Sequence, residues 1–237
     1  MRTRGILALG LFLFLSIPLS GQVQDILQTL GLGKKSGLSN DKIVAGLKEA
    51  LRVGTGNAVQ STGRVDGYFR NEAIKILMPE KLRTVEKGMR VAGFGPQVDG
   101  LVLGMNRAAE KAAPLAKDIF VNAVLEMSFE DARGILTGGD TAATEYFKAK
   151  TTNRLTAAFT PIVDKSMNEV GLVRQYDQFM GSARQIPFLP TQSLDIHKYV
   201  VTKALDGLFI VLGQEERNIR KNPAARVTQL LKDVFGR

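Results

Sequence analysis

The sequence predicts an all-α protein: a single domain of about seven to ten helices. Apolar residues recur at steps of three and four along most of the chain, which is the period of an amphipathic helix. Proline and glycine stand where these periodic stretches begin and end. The alternation typical of a strand occurs only at residues 65–69, where Gly67 weakens it.

The N-terminus has the pattern of a secretory signal peptide. Two arginines precede an apolar run at residues 5–17, Pro18 ends the run, and the small residues Ser20 and Gly21 follow. A membrane anchor is the alternative, but a spanning helix needs about 20 apolar residues and this run is shorter. We expect residues 1–21 to be a signal peptide cleaved after Gly21, and the mature form to carry no stable transmembrane segment.

A flexible leader and the first helix are expected next. Residues 22–37 contain the stretch GKKSG at 33–37, which is typical of a linker. The folded domain then covers residues 38–237. Ser39 or Asn40 is the predicted cap of the first helix, and Gly54 and Gly56 are expected to loosen its far end.

The strongest helical signal lies in the middle of the domain. Pro79 is expected to open one helix and Gly93 to close it. Pro114 should kink or divide the long helix that follows. Its apolar positions predict a seam that packs against another helix: Val98, Leu101, Met105, Ala108, Ala112, Leu115 and Ile119.

Local start and stop signals place the next two helices. Ser128 and Asp131 form a capping box for a short helix that Gly138 ends. Asp140 is the expected cap of the following helix, in which Pro161 should introduce a kink.

The C-terminal part predicts a loop and two further helices. Residues 185–192 hold two prolines and form the clearest loop. A helix is expected at about residues 194–220, and Asn222 with Pro223 should begin the last one as its cap and first residue.

Composition limits the partners. The chain of 237 residues has no cysteine, which excludes disulfides, thiol nucleophiles and thiolate metal sites. Its formal charge of +9 favours anionic partners. Export would remove nucleic acid from that group, so we expect a lipid, a small anion or an envelope protein in the periplasm. A solvated surface of mixed charge is the simpler interpretation of the same composition.

No motif predicts a metal or a cofactor. His197 is the only histidine, and its register with Val201 and Leu208 places it on the apolar face of its helix, as expected for a structural histidine. A metal site usually takes three or four protein ligands. The run GLGKKS at residues 31–36 lacks the glycine and the preceding strand of a phosphate-binding loop.

One acidic residue falls on a face that should be buried. Glu216 continues the line of Leu208 and Leu212, and a buried carboxylate must be paired or protonated. Arg220 lies four residues on, and Arg226 in the last helix could reach the same place. The hypotheses are an ionic clamp between the last two helices, which we favour, and a ligand site.

A second polar cluster comprises Asn106, Arg107 and Glu110. On the seam given above, Arg107 and Glu110 point away from the packing face, which predicts an exposed pair. If other helices cover that side, the cluster becomes a buried network. With Asp140, these residues complete the candidate polar sites.

Four separated stretches resemble one bacterial family, catalogued as domain of unknown function 4197. They are LSND at residues 38–41, MNRAAE at 105–110, GGDTAAT at 138–144 and NPAAR at 222–226. The resemblance extends over roughly residues 38–236. It implies an exported bacterial protein, and because the family has no established activity, it carries over no catalytic residue.

Three functions remain open on the sequence. The first is a non-enzymatic binding protein whose ligand sits in a groove along the apolar seam. The second is a hydrolase acting on an envelope glycan through two carboxylates among Glu110, Asp131, Asp140 and Glu216, about 5 to 9.5 Å apart across an open cleft. The third is a scaffold or oligomer with a large apolar patch on one helix face.

Overall fold

The computed structural model describes residues 40–169, 171–185, 195–222 and 225, which belong to one compact unit, Asn40–Arg237. Within these residues the secondary structure is helical and contains no strand, so the predicted all-α class is confirmed. The predicted signal peptide, leader, proline-rich loop and final helix lie outside the described residues or at their edge.

Eight α-helices and two 3-10 helices are present in the described part of the chain. In chain order they are α1 (Asn40–Gly63), a 3-10 helix (Glu80–Leu82), α2 (Arg83–Val91), α3 (Gly95–Ala112), a 3-10 helix (Ala113–Leu115), α4 (Ala116–Leu125), α5 (Phe129–Thr137), α6 (Ala142–Glu169), α7 (Leu172–Ala183) and α8 (Ile196–Lys221). The sequence analysis did not predict α7.

The first helix is longer than predicted. It continues through Gly54 and Gly56 and ends at Gly63. Gly54 faces α8, where a Cβ would lie 3.4 Å from Cδ1 of Ile219. Close packing against α8 therefore offsets the low helix propensity of glycine, which costs about 1 kcal/mol at one position.

Proline and the capping box act as predicted. Pro114 lies in the 3-10 helix that separates α3 from α4. Ser128 Oγ accepts a hydrogen bond from the Asp131 N–H at 3.0 Å, and the Asp131 carboxylate accepts one from the Ser128 N–H at 3.1 Å. The bonds from Ser128 lower the pKa of Asp131. Pro161 lies inside α6, which continues through it.

The predicted seam forms the core. Val98, Leu101 and Met105 are at most 2 % exposed, and Ala108 and Ala112 are fully buried. Beyond Pro114 the seam holds only in part, since Leu115 is 40 % exposed whereas Ile119 is partly buried against the core.

The two longest C-terminal helices, α6 and α8, pack extensively on each other, with α1 against α8 and α3 against α6. Phe120 of α4 sits between them, with its ring centroid 5.1 Å from Phe147 of α6 and 6.3 Å from Phe209 of α8. None of the helices in the described ranges has the length and hydropathy required to span a bilayer.

Residues 64–79 connect α1 to the first 3-10 helix without forming a helix themselves. Residues 65–70, which contain the one candidate strand, are turns, and residues 75–79 form neither helix, turn nor strand. Both backbone groups of Ile76 bond to one side chain on the same edge, as in an extended strand. Asp66 has a positive φ of 65°. We call residues 75–79 the extended segment; it lies beside α3 and α8.

Candidate functional site

Asn106 holds the extended segment against α3. Its side chain is fully buried; Oδ1 accepts a hydrogen bond from the Ile76 N–H at 2.9 Å, and Nδ2 donates to the Ile76 carbonyl at 2.8 Å. Nδ2 also donates to the Val102 carbonyl at 2.7 Å. The amide thus takes the place of a neighbouring strand, so this predicted site residue is structural.

Glu110 belongs to a buried network, so the predicted exposed pair is wrong for this residue. Its side chain is 5 % exposed, and Oε1 accepts hydrogen bonds from the N–H groups of Tyr68 and Phe69, each at 3.1 Å. Arg107 donates to Glu110 at 2.6 Å and to Asp66 at 2.7 Å. Residues 64–79 cover the side of α3 that periodicity left exposed.

Tyr68 extends this network to α8. It is fully buried, and its hydroxyl donates to the Ala204 carbonyl at 2.7 Å. Burial and the nearby Glu110 carboxylate raise the pKa of Tyr68, so the hydroxyl stays protonated. Gly207 makes room for the ring, because a Cβ there would lie 2.7 Å from Tyr68 Cε1.

Glu216 forms an ionic clamp that joins α8 to two helices for which the sequence predicted no such contact. Its carboxylate accepts hydrogen bonds from the N–H groups of Ala143 and Thr144 at 2.9 and 2.8 Å, and from the Thr144 hydroxyl at 2.8 Å. Arg220 donates to Glu216 at 2.9 and 3.0 Å and to the Ile135 carbonyl at 2.8 Å. The clamp ties α8 to the N-terminus of α6 and the C-terminal part of α5. Arg226 lies outside the described residues.

Asp140 does not have the predicted capping role. The N–H groups of the first turn of α6 at Ala143 and Thr144 bond to Glu216, and Asp140 pairs with Lys221. Lys221, with Arg220 and Arg217 nearby, lowers the pKa of Asp140. A buried carboxylate on α8 therefore replaces the local cap.

The four carboxylates proposed for a hydrolase are all engaged elsewhere. Glu110 and Glu216 accept backbone N–H groups in the interior, Asp131 completes a cap, and Asp140 pairs with Lys221. The hydrolase hypothesis required two carboxylates that face each other across an open cleft. The structure gives that hypothesis no such pair among these four residues.

His197 pairs with an acid on another helix. Its Nδ1 lies 2.6 Å from Asp164 Oδ1 of α6, and its side chain is 33 % exposed. Asp195, two residues away, instead caps α8 by accepting the Lys198 N–H at 3.0 Å. His197 is therefore a boundary residue that joins α6 to α8. No three His, Asp or Glu side chains in the described ranges are grouped closely enough to hold a metal ion.

A groove of about 840 Å³ lies between α6, α8 and residues 73–83. We call it the basic groove. The extended segment and α8 form its long sides, and the first turns of α6 close one end. Its α8 residues run from Tyr199 to Arg217, a distance of about 27 Å at 1.5 Å per residue.

Positive side chains outnumber negative ones in this groove, six to three. The basic residues are Lys75, Lys81, Arg83, Lys148, Lys203 and Arg217, and the acids are Glu80, Glu145 and Asp206. Two of the acids are matched, since Glu80 pairs with Arg83 and Asp206 with Lys203.

Four cations in the basic groove form no ion pair within the described part of the structure: Lys75, Lys81, Lys148 and Arg217. Arg217 does lie close enough to Asp140 to help lower the pKa of that carboxyl. Lys75 lies 4.6 Å from the centre of the Phe69 ring. Clefts with an excess of one charge strengthen the electrostatic potential, and the excess here is positive.

Apolar and polar groups complete the lining. Leu77 is 52 % exposed and Ile210 is 44 % exposed. The Tyr199 hydroxyl donates to the Leu77 carbonyl at 2.9 Å, and burial raises the pKa of Tyr199. A second groove of about 760 Å³ lies between α6 and α8, with His197 at its edge, and shares Lys148, Asp206 and Phe209 with the first.

Sequence reasoning did not find the basic groove. One signal was available: Arg217 has no acid three or four residues away on its own helix, where a structural ion pair would form. The other groove residues come from segments up to about 140 positions apart, and no local pattern joins them.

Comparison with known proteins identifies the family only. A family model described as "Protein of unknown function (DUF4197)" matches residues 37–236. Neither a curated protein nor a solved structure matches the chain.

Proposed function

Because the chain belongs to the family described as "Protein of unknown function (DUF4197)", we propose its function from the site itself: it is a binding protein that holds an anionic ligand in the basic groove. The observation that carries the proposal is the charge of this concave surface. Of its six basic side chains, four form no ion pair within the described structure: Lys75, Lys81, Lys148 and Arg217.

An anion explains why such charges are gathered. Like charges brought together in a groove repel one another, and clefts with low-dielectric walls strengthen their field. A bound carboxylate or phosphate would relieve that repulsion and accept hydrogen bonds from several donors. Lys148 and Arg217 lie on α6 and α8, so one ligand would contact both helices.

The ligand site differs from the one expected along the apolar seam. That seam is closed, because Val98, Leu101 and Met105 are buried in the core. The apolar pocket beside Glu216 has a volume of only about 30 Å³, room for about one water molecule. Neither place accommodates an acyl chain, which favours recognition of the anionic group over burial of a lipid tail.

The scaffold alternative has less support. Of the large apolar residues that are exposed, two lie in the connection 64–79, namely Val65 and Leu77, and six lie each on a different helix: Val91, Leu103, Leu115, Leu125, Phe129 and Ile210. No single helix in the described ranges therefore presents the large apolar face that a scaffold was expected to show.

Charge reversal tests the binding function. We expect the double variant Lys148→Glu with Arg217→Glu to weaken anion binding by about tenfold or more, since two attractive charges become repulsive. Binding is measured by titration calorimetry with inorganic pyrophosphate, a glutamate octapeptide and phosphatidylglycerol vesicles.

The matched control is Lys117→Glu with Arg133→Glu. Both residues are exposed, neither lines the groove, and the pair changes the net charge equally. If both double variants weaken binding alike, net charge rather than the groove attracts the anion. If none of the three probes binds the unmodified chain, the proposed function is wrong.

We infer further that the protein acts after export, most directly in the periplasm. The support is the order of basic start, apolar run, proline and small residues in 1–21, followed by a leader at 22–37 and the domain at 38–237. This location would present the groove with lipid headgroups, small anions and envelope proteins rather than nucleic acid.

The N-terminus of the exported protein tests this assignment. We expect N-terminal sequencing and intact mass to place the first residue at Gln22. An intact Met1 on protein in the membrane fraction would instead identify residues 5–17 as a retained anchor.

A further inference from the structure

The extended segment carries backbone groups on both of its edges, and one edge is already occupied. The Ile76 N–H and carbonyl both bond to the Asn106 side chain, at 2.9 and 2.8 Å. This edge therefore faces α3 and is fully paired at Ile76.

The opposite edge follows from the planarity of the peptide bond. In a trans peptide the carbonyl of one residue and the N–H of the next point in opposite directions, and the described chain has no cis peptide. The Lys75 carbonyl and the Leu77 N–H thus point away from Asn106. The Leu77 carbonyl accepts the Tyr199 hydroxyl of α8 at 2.9 Å, which shows that the second edge faces α8.

Two groups on this second edge are unpaired. Within the described structure, the Lys75 carbonyl accepts no hydrogen bond and the Leu77 N–H donates none. Both residues line the basic groove. Backbone groups removed from water are nearly always paired, so a ligand that covers this edge must supply a donor and an acceptor.

We propose that the basic groove binds an extended acidic peptide segment of a partner protein, which adds as a parallel strand beside residues 75–77. One peptide residue would donate its N–H to the Lys75 carbonyl and accept the Leu77 N–H, as in a parallel ladder. Antiparallel pairing at Leu77 is disfavoured, since Tyr199 occupies its carbonyl. The inference rests on the proposed function and names its ligand class.

The chemistry of the groove favours a peptide over other anions. A carboxylate can accept the Leu77 N–H but cannot donate to the Lys75 carbonyl, and a phosphate can donate only while it retains a proton, whereas a peptide residue does both. The six basic side chains of the groove would pair with acidic residues of the peptide. The exposed side chains of Leu77 and Ile210 would contact its apolar residues. At about 3.3 Å per residue, the 27 Å of α8 along the groove would accommodate an extended stretch of about eight residues.

Amide hydrogen exchange on the full chain tests the proposal. The probe is an octapeptide of alternating glutamate and valine. The exchange rates of the Leu77 and Ile76 amides are measured with and without it. We expect the peptide to slow exchange of the Leu77 amide about tenfold or more, and to change the Ile76 amide little because Asn106 already bonds it. Inorganic pyrophosphate can accept the Leu77 N–H but spans less of the segment, so it should slow exchange of the Leu77 amide less than the peptide does.

Two chemical variants isolate the backbone contact. The same octapeptide N-methylated at its four central amides keeps every charge and should bind about tenfold more weakly, since its N–H groups are lost. In the protein, Leu77→Pro removes an N–H that has no native partner, while Leu77→Ala retains it. We expect only the proline variant to lose peptide binding.

The outcomes separate this inference from the proposed function. If pyrophosphate binds and charge reversal weakens it, but the peptide does not protect Leu77 or binds equally well when N-methylated, the peptide inference is wrong and anion binding stands. If only anionic vesicles bind, the ligand is a lipid headgroup and the inference is also wrong. The exchange measurement uses the unmodified protein, so it decides the question even if Leu77→Pro does not fold.

Discussion

Replacing Glu216 by alanine is expected to reduce the free energy of unfolding by about 3–5 kcal/mol, because one partner of a buried ion pair is removed. The variant leaves the N–H groups of Ala143 and Thr144 without their acceptor and the Arg220 guanidinium without its carboxylate. Arg220 keeps its bond to the Ile135 carbonyl, so its charge stays in a half-buried position.

Urea unfolding followed by circular dichroism measures this loss. Glu215→Ala is the matched control, since this neighbour on α8 only accepts a bond from Asn57 at 3.1 Å in a more exposed place. The control should cost less than about 1 kcal/mol. Glu216→Gln keeps the shape but loses the charge, and should fall between the two. Equal losses for Glu216→Ala and Glu215→Ala would contradict the clamp.

Asn106→Ala is expected to cost about 3 kcal/mol or more. It leaves the Ile76 N–H and carbonyl unpaired in the interior and creates a cavity where the side chain was fully buried. Asn106→Leu restores most of the volume but not the hydrogen bonds, so we expect it to remain destabilised by about 2 kcal/mol or more.

The same urea unfolding experiment checks this prediction, with Asn122→Ala as control. Asn122 is exposed on α4, and its replacement should stay within about 0.5 kcal/mol of the unmodified protein. Asn106→Leu should also weaken anion binding, because Asn106 positions the wall that carries Lys75 and Leu77. If Asn106→Leu is as stable as the unmodified protein, packing rather than hydrogen bonding holds the extended segment.

The predictions that held depend on neighbouring residues. The Ser128–Asp131 box, the break at Pro114 and the seam of α3 all involve residues within a few turns of one another. Capping, the missing proline N–H and helical periodicity act at that range whatever the rest of the fold does. They are therefore readable from the sequence.

The predictions that failed involve residues far apart in the chain. Asp140 is a residue type typical of helix caps, but the acceptor for the Ala143 N–H is Glu216, 73 positions further along the chain. Glu110 was expected on an exposed face of α3, but in the structure residues 64–79 cover that face. In each case a buried polar group found its partner across the tertiary structure, and local preference was overridden.

By itself the sequence determined the all-α class, most helix boundaries, the core face of α3, the family and the basic balance of charge. Only the tertiary structure decided which polar residues are structural and where the unpaired charges gather. The physical reason is range: helix propensity and periodicity act within a few residues, whereas a groove between α6, α8 and the extended segment exists only after the chain has packed.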